Sequence, residues 1–362
     1  MMDISTPYYE DLTRISNSNI GWFLQKGPAF LHKMLTNPPP EEKNPVLERG
    51  TMIHCFLLQP EEFQKDYVVW DKSRPTSAQQ EKFCQALANT LEIEPDKAVL
   101  SAYKEAYSTA GKSDKTMLLE GLKIASTLKD YIDFLKANDG RIMISPWDYQ
   151  MLKKIKYEIE AHKLASKIIW PHGNFHDYKD TVEYSEASLE SEIIAKKYYH
   201  EFHINWEYPV IYNIDIGQHE TERSKYTVKC KSLLDGLTLD FKNKKAIIYD
   251  LKTTQKLWHF EDSIDQYDYL RQLCYYTMAV KWYLKNECEE DPDKWDFFYY
   301  IIGIDTTGSY EIRVFEVEPY MVDSRALSIR NAITNIAWHQ MMNKWDHSRE
   351  YYEGDGSENL NL

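Results

Sequence analysis

The 362-residue chain is 43% apolar and 14% aromatic, with a net charge of −14. It can bury a sizeable core, so it is not a disordered polymer, and it has no uninterrupted apolar run of the roughly 18 residues that a membrane span needs. The acidic balance argues against a surface coated with nucleic-acid affinity but leaves room for a local basic groove, because steering depends on where charge sits.

The opening MMDISTPYYEDL is polar and acidic, without the pattern of a secretory signal, and a cytosolic location is expected. SNSNIGWFLQKGPAFLHKML then reads as a helical entry with Ser16 to Asn19 offering N-caps. TNPPPEEKNP (36–45) is a proline-rich loop, and VLERGTMIHCFLLQPEEF (46–63) is a helix ended near Pro60. Residues 72–145 have helical spacing, with loops at SRPTS and ANDG; the lysine-rich segment 98–165 reads either as a DNA-facing surface or, the preferred reading, as a solvated helical face. SPWDYQMLKKIKYEIEAHKLASKII begins with a Ser-Pro start and places Leu152, Ile155 and Ile159 on one face.

From about residue 175 the character changes to strands: EFHINWEYPVIYNIDI, KYTVKCKSLLDGLTLDF and KAIIYDLKTT, with KNKK (242–245) as a turn. A long helix is expected from about Glu261 to Leu284. FFYYIIGID and YEIRVFEV then pair as strands, a helix covers about 320–345, and the tail EYYEGDGSENLNL is expected to be mobile. The expected class is α/β (α+β), a central mixed β-sheet flanked by helices. Three regions follow: a helical N-terminal extension (1–170), a core (171–345) and an acidic tail (346–362), the first two integrated as one domain. Cys55, Cys84, Cys230, Cys274 and Cys288 form no C-x-x-C pair, which argues against a zinc knuckle, an iron–sulfur cluster or a disulfide framework.

The chemistry concentrates at IIYDLKTTQ (247–255). Side chains alternate along a strand, so Asp250 and Lys252 share a face and Leu251 points away. Asp235 in LLDGL, one strand earlier, can converge with Asp250 on a hard divalent cation, which takes carboxylate and carbonyl oxygens. The competing reading is a half-exposed ion pair of little energetic value. Gln272 and Tyr276 in RQLCYYTMA are four apart on one helical face. His54, four after Gly50 in RGTMIHCFL, is either a core residue or a neutral imidazole ligand. Glu207 in NWEYPVIY is one further carboxylate, with Glu201 in HEFHINW as its rival.

In this order, G-x-x-x-H, E, D, D-x-K and Q-x-x-x-Y, the set resembles the RecB-like branch of the PD-(D/E)XK nucleases. Within that branch it is most similar to the nuclease domain of the exonuclease VIII (RecE) group and its phage relatives. ISNSNIGWFLQKGPAFLHKML, LERGTMIHCFLLQPEEF, IIYDLKTT and RVFEVEPYMVDSRALSIRNAI carry the likeness over roughly residues 12–345. The resemblance implies a restriction-endonuclease-like core in which Asp235, Asp250 and the Leu251 carbonyl bind Mg²⁺ or Mn²⁺, with His54 and Glu207 nearby. Lys252 would handle the nucleophilic water, and Gln272 and Tyr276 would position the phosphate or the lysine.

The implied activity is a metal-dependent exonuclease on double-stranded DNA ends in phage or prophage recombination, in the bacterial host cytoplasm. A single-strand annealing partner and a homo-oligomer come with that picture, and no membrane does. Leu234 replaces the motif's proline, and Glu207 stands 28 residues before Asp235, with IDIGQHETERSKY read as an enlarged hairpin loop between them. Two alternatives are a catalytically silent nuclease-like module that binds nucleic acid or a host protein, and an endonuclease on the same fold.

Overall fold

The computed structural model describes residues 7–40, 44–91, 94–137, 139–171, 196–217 and 220–358. The expected change of character near residue 175 lies outside the described residues, as do the last four residues of the tail.

The first helix, α1 (Asn17–Thr36), opens with a reciprocal capping box between Ser16 and Asn19 and is broken at Gly27, which sits at φ 79° ahead of Pro28. Only glycine takes that conformation readily, and the proline restarts the helix. In α2 (Pro45–Leu58), Asn44 caps and Pro45 takes the first turn. The chain then enters a segment built from α3 (Pro60–Asp66), β1 (Tyr67–Val69), α4 (Ala78–Asn89), α5 (Pro95–Ala106), α6 (Asp114–Thr127), α7 (Lys129–Lys136) and β2 (Ile142–Ile144). β1 and β2 pair in parallel. α4 to α7 close around Phe83, Leu87, Val99, Tyr103, Met117 and Ile132.

α8 (Pro146–Ala161) starts after Ser145, as its Ser-Pro signal predicts, and buries Leu152, Ile155 and Ile159 completely. α9 (Lys163–Ile169) follows. Five strands then make one mixed sheet in sequence order: β3 (Lys196–Gly217), β4 (Glu220–Asp240), β5 (Lys245–Thr254), β6 (Asp296–Asp305) and β7 (Ile312–Val317). β5 and β6 are parallel and every other neighbour is antiparallel. This is the α+β arrangement expected from the sequence.

Between β5 and β6 run α10 (Phe260–Gln266) and α11 (Tyr269–Asn286). They replace the expected single helix, because Asp268 adopts φ 49° and caps α11 with its own carboxylate on the Arg271 N–H. α12 (Pro319–Asp323), α13 (Ala326–Met342) and α14 (Arg349–Glu353) complete the chain. α14 lies in the stretch read as a mobile tail: Ser348 caps it, and Tyr352 packs on Trp338.

Of the run 214–226 read as a hairpin loop, residues 214–217 and 220–226 are strand instead. β3 and β4 stay paired through Ile214↔Glu222 to Gly217↔Glu220. A ladder is held by backbone groups and needs no apolar side chains to continue. The core on one sheet face joins Ile204, Trp206, Leu237, Ile248 and Ile301 to α11 and α13 through Leu273, Tyr275, Ile333 and Ile336.

The chain forms two compact units, Met1–Gln59 with Lys154–Leu362, and Pro60–Lys153. α1 and α2 thus group with the sheet. Among the described residues no helix is long and apolar enough to cross a membrane.

Candidate functional site

The site begins with a fault in the sheet. β4 and β5 are paired from Asp240↔Lys245 to Gly236↔Tyr249, and the next residues in that register, Asp235 and Asp250, face each other where the ladder stops. There the Leu251 N–H donates to Asp235 Oδ2 at 2.6 Å. A carboxylate has taken the place of a backbone acceptor, and the strands part around it. In an extended strand the N–H and C=O of one residue point to the same side, so the Leu251 carbonyl is directed to the same edge.

A second irregularity sits opposite. On β3, His200 pairs with Gly236 and Phe202 with Leu234, which sets Glu201 across from Asp235. Glu201 has φ 47°, a conformation rare for a residue with a Cβ. Leu234 and Leu237, an odd number of residues apart, both enter the same core. Strict alternation would send them to opposite faces, so the strand turns over at Asp235–Gly236. The His200 ring anchors this point to the main-chain carbonyls of Leu58 (Nδ1, 3.2 Å) and Ile169 (Nε2, 2.8 Å).

Gly236 is required here: a Cβ would fall 1.9 Å from Tyr249 Cζ, so the tyrosine ring lies over its bare Cα. Gly50 serves α2 similarly, since a Cβ there would come within 3.3 Å of Thr253 Oγ1. One turn on, His54 Nδ1 lies 3.8 Å from Glu201 Oε1 and 3.7 Å from Asp235 Oδ2. One ligand atom each from His54, Glu201 and Asp235 fall within 4.8 Å of one another. One imidazole nitrogen with two carboxylates is a donor set that a divalent cation can use.

Asp250 and Lys252 point together, as alternation requires, toward α11. Lys252 Nζ is 2.5 Å from Asp250 Oδ2 and 4.8 Å above the Tyr269 ring. Gln272 Nε2 donates to Asp250 Oδ1 (2.9 Å) and to Tyr276 Oη (2.7 Å). Asp250 is 2% exposed, and its carboxylate is held by one amide on Oδ1 and by the Lys252 ammonium on Oδ2. A buried carboxylate facing a second one across the gap is the kind of group a divalent cation can use.

The electrostatics agree. Burial raises the Asp250 carboxyl to about 6, Lys252 pulls it back and Asp235 adds to the rise. Asp235 is likewise raised, by burial first, against the pull of His54 and Lys252. Burial alone would lower the Lys252 ammonium, but Asp250 and Asp235 outweigh it and hold it raised. His54 follows the same pattern: burial lowers it, and Asp235 and Glu201 reverse the sign.

The structure thus brings together His54, Asp235, Asp250, Leu251, Lys252, Gln272 and Tyr276. It does not bring in Glu207, which is exposed and pairs in register with Lys229. Six residues of strand separate Glu207 from Glu201, about 20 Å, and Glu201 is the glutamate at the cluster. Alternation alone could not choose between them, because the left-handed turn at Glu201 resets the faces. Tyr249 and Tyr269 were missed; the glycine after Asp235 is the one sequence signal that pointed to a bulky ring across the strand.

No protein-family model matches the sequence, and no curated protein matches it. Among solved structures the chain is similar to one from Eubacterium rectale named "Putative exonuclease", with TM-score 0.43 and 11% identity, over 97% of this chain and 91% of that one. No residue role transfers at that likeness.

Proposed function

We propose that this protein is a nuclease that hydrolyses DNA phosphodiester bonds with a divalent cation, Mg²⁺ or Mn²⁺, working from the ends of double-stranded DNA. The observation that carries the reading is the pairing of Asp235 and Asp250 across the parted strands, with Lys252 on the Asp250 carboxylate. A buried ion pair is weak evidence of stability. Two buried carboxylates facing each other across a gap, with one ammonium between them and solvent, are better explained by a cation that the gap takes up.

Asp235, Asp250 and the Leu251 carbonyl would hold the cation, and His54 and Glu201, clustered with Asp235, could supply further donors. When bound, such an ion lowers the pKa of a coordinated water and offsets charge growing on the phosphate. Lys252 holds a proton beside the position of that water and can orient it. Gln272 fixes Asp250 and ties it to Tyr276, so the carboxylate cannot rotate away from the gap. The end-directed mode, the recombination setting, an annealing partner and a homo-oligomer extend the reading by family resemblance.

The test uses linear duplex labelled at its ends, and a covalently closed circle of the same sequence, each with Mg²⁺ or with chelator. The expected result is metal-dependent release of mononucleotides from the linear form, abolished in Asp250→Asn. Full activity in that variant, or in chelator, would remove the proposal. Rapid cleavage of the circle would replace the end-directed mode with an endonuclease.

A further inference from the structure

Beyond the metal-binding groups, the same sheet face carries an exposed aromatic that no part of the chemistry uses. Trp258 lies in a 3-10 turn, Leu257–His259, just after β5, and is 72% exposed. Its neighbour Leu257 is buried over Gly303, where an added Cβ would lie 2.7 Å from Leu257 Cδ1. Gly303 in β6 is the register partner of Lys252 in β5 and of Arg313 in β7. Partners in register project to one face, so Lys252, the Leu257 anchor and Arg313 form one row. Its ends are two strand spacings apart, about 10 Å.

The Arg313 guanidinium lies 4.7 Å from the Trp258 ring centroid and 5.4 Å from that of Phe315. Arg325 and Arg349 rest on Asp268 and Glu353. Arg313 has no carboxylate within ion-pair distance among the described residues. Beneath it the aromatics run unbroken to the reaction site. Phe315 stacks on buried Phe260 (5.1 Å), Phe260 meets Tyr269 (6.0 Å), and Tyr269 carries Lys252. The turn is therefore firmly seated, yet its tryptophan is exposed with a cation against it that no described carboxylate pairs with.

We propose that Trp258, braced by Arg313, is a stacking platform for one unpaired base of a nucleic-acid strand, with the Arg313 N–H edge taking the adjoining phosphate. This deepens the nuclease reading and rests on it: the substrate is a strand whose terminal bases are parted before cleavage. Every base has a π-face, so such a platform accepts any sequence. An unpaired strand extends further per base than the roughly 3.4 Å of a duplex, so a strand over Trp258 spans the roughly 10 Å to Lys252 within about three nucleotides. Glu261 and Asp262 are exposed in the first turn of α10. They oppose a continuous phosphate track and confine the contact to one base and one phosphate.

The experiment measures binding of fluorescein-labelled oligothymidylate and of a closed duplex circle in chelator, where hydrolysis is stopped. Wild type, Trp258→Ala, Trp258→Phe and Arg313→Gln are compared after circular dichroism establishes that each folds. Trp258→Ala is expected to weaken oligothymidylate binding about tenfold and Trp258→Phe to restore most of it, with circle binding unchanged. Arg313→Gln should weaken oligothymidylate binding and flatten its salt dependence. Wild-type affinity in Trp258→Ala overturns the platform and leaves the face to a protein partner. Equal losses on circle and oligothymidylate overturn it in favour of general electrostatics. Mg²⁺-dependent hydrolysis by wild type is assayed separately; its absence would end the nuclease reading while the binding data still decide the platform.

Discussion

Asp250 in β5 and Asp305 at the end of β6 are buried aspartates on neighbouring strands, where Thr254 and Asp305 are register partners. Asp305 accepts from the Thr307, Ser309 and Tyr310 N–H groups and from the Thr307 and Ser309 hydroxyls. Burial would raise it, but these hydrogen bonds hold its carboxyl below the usual range. Asp250 accepts one well-aligned bond from Gln272, leans on Lys252, and is raised to about 6. Asp305 is satisfied by its own loop and closes the turn to β7. Asp250 has one amide and one ammonium in a gap lined by another carboxylate, and that difference in surroundings is what the proposed cation site predicts.

Exchanging each for asparagine separates the roles most sharply. Asp250→Asn should cut metal-dependent hydrolysis about a hundred- to ten-thousandfold, and should also cost up to about 3 kcal/mol of stability, because the buried Lys252 ammonium loses its nearest partner. Asp305→Asn should cost about 1–3 kcal/mol by leaving buried donors mismatched, but with activity per folded molecule retained. Denaturant unfolding beside an end-label assay reads both.

Glu201→Gln should weaken Mn²⁺ binding about ten- to a hundredfold while Glu207→Gln leaves it unchanged, as read by calorimetry. Equal effects would dissolve the distinction between the two glutamates. Gly236→Ala should destabilise by about 1–3 kcal/mol through collision with Tyr249. Pairing it with Tyr249→Ala should recover part of that loss, and strict additivity would show that the ring is not what Gly236 accommodates.

The smallest effect is on pH. In the metal-free protein, folded Asp250 keeps its proton up to about pH 6, whereas the unfolded carboxyl loses it near 3.8. Between those values the native state binds more protons, so stability falls as pH rises. Above about 6 the contribution is constant. Cation binding needs the deprotonated carboxylate, so Mn²⁺ should raise the melting temperature above pH 6 and lose that effect below it.

What could be read from the sequence was whatever depends on local period. Asp250 with Lys252, and Gln272 with Tyr276, share faces because strand and helix periods put them there. What could not be read depends on broken periods. The left-handed Glu201 resets the faces of β3, Asp268 divides one apparent helix into two, and Gly27 interrupts α1. Residues 220–226 pair as strand without the apolar alternation that marks one, and the grouping of α1 and α2 with the sheet comes from contacts between distant segments, which no short window contains.

Calorimetric titration of Mn²⁺ into the wild type, Asp235→Asn and Asp305→Asn tests the parted strands as a cation site most directly. A saturable isotherm in the wild type that survives Asp305→Asn and vanishes in Asp235→Asn is predicted. No heat of binding in the wild type, or the same isotherm in Asp235→Asn, would contradict it.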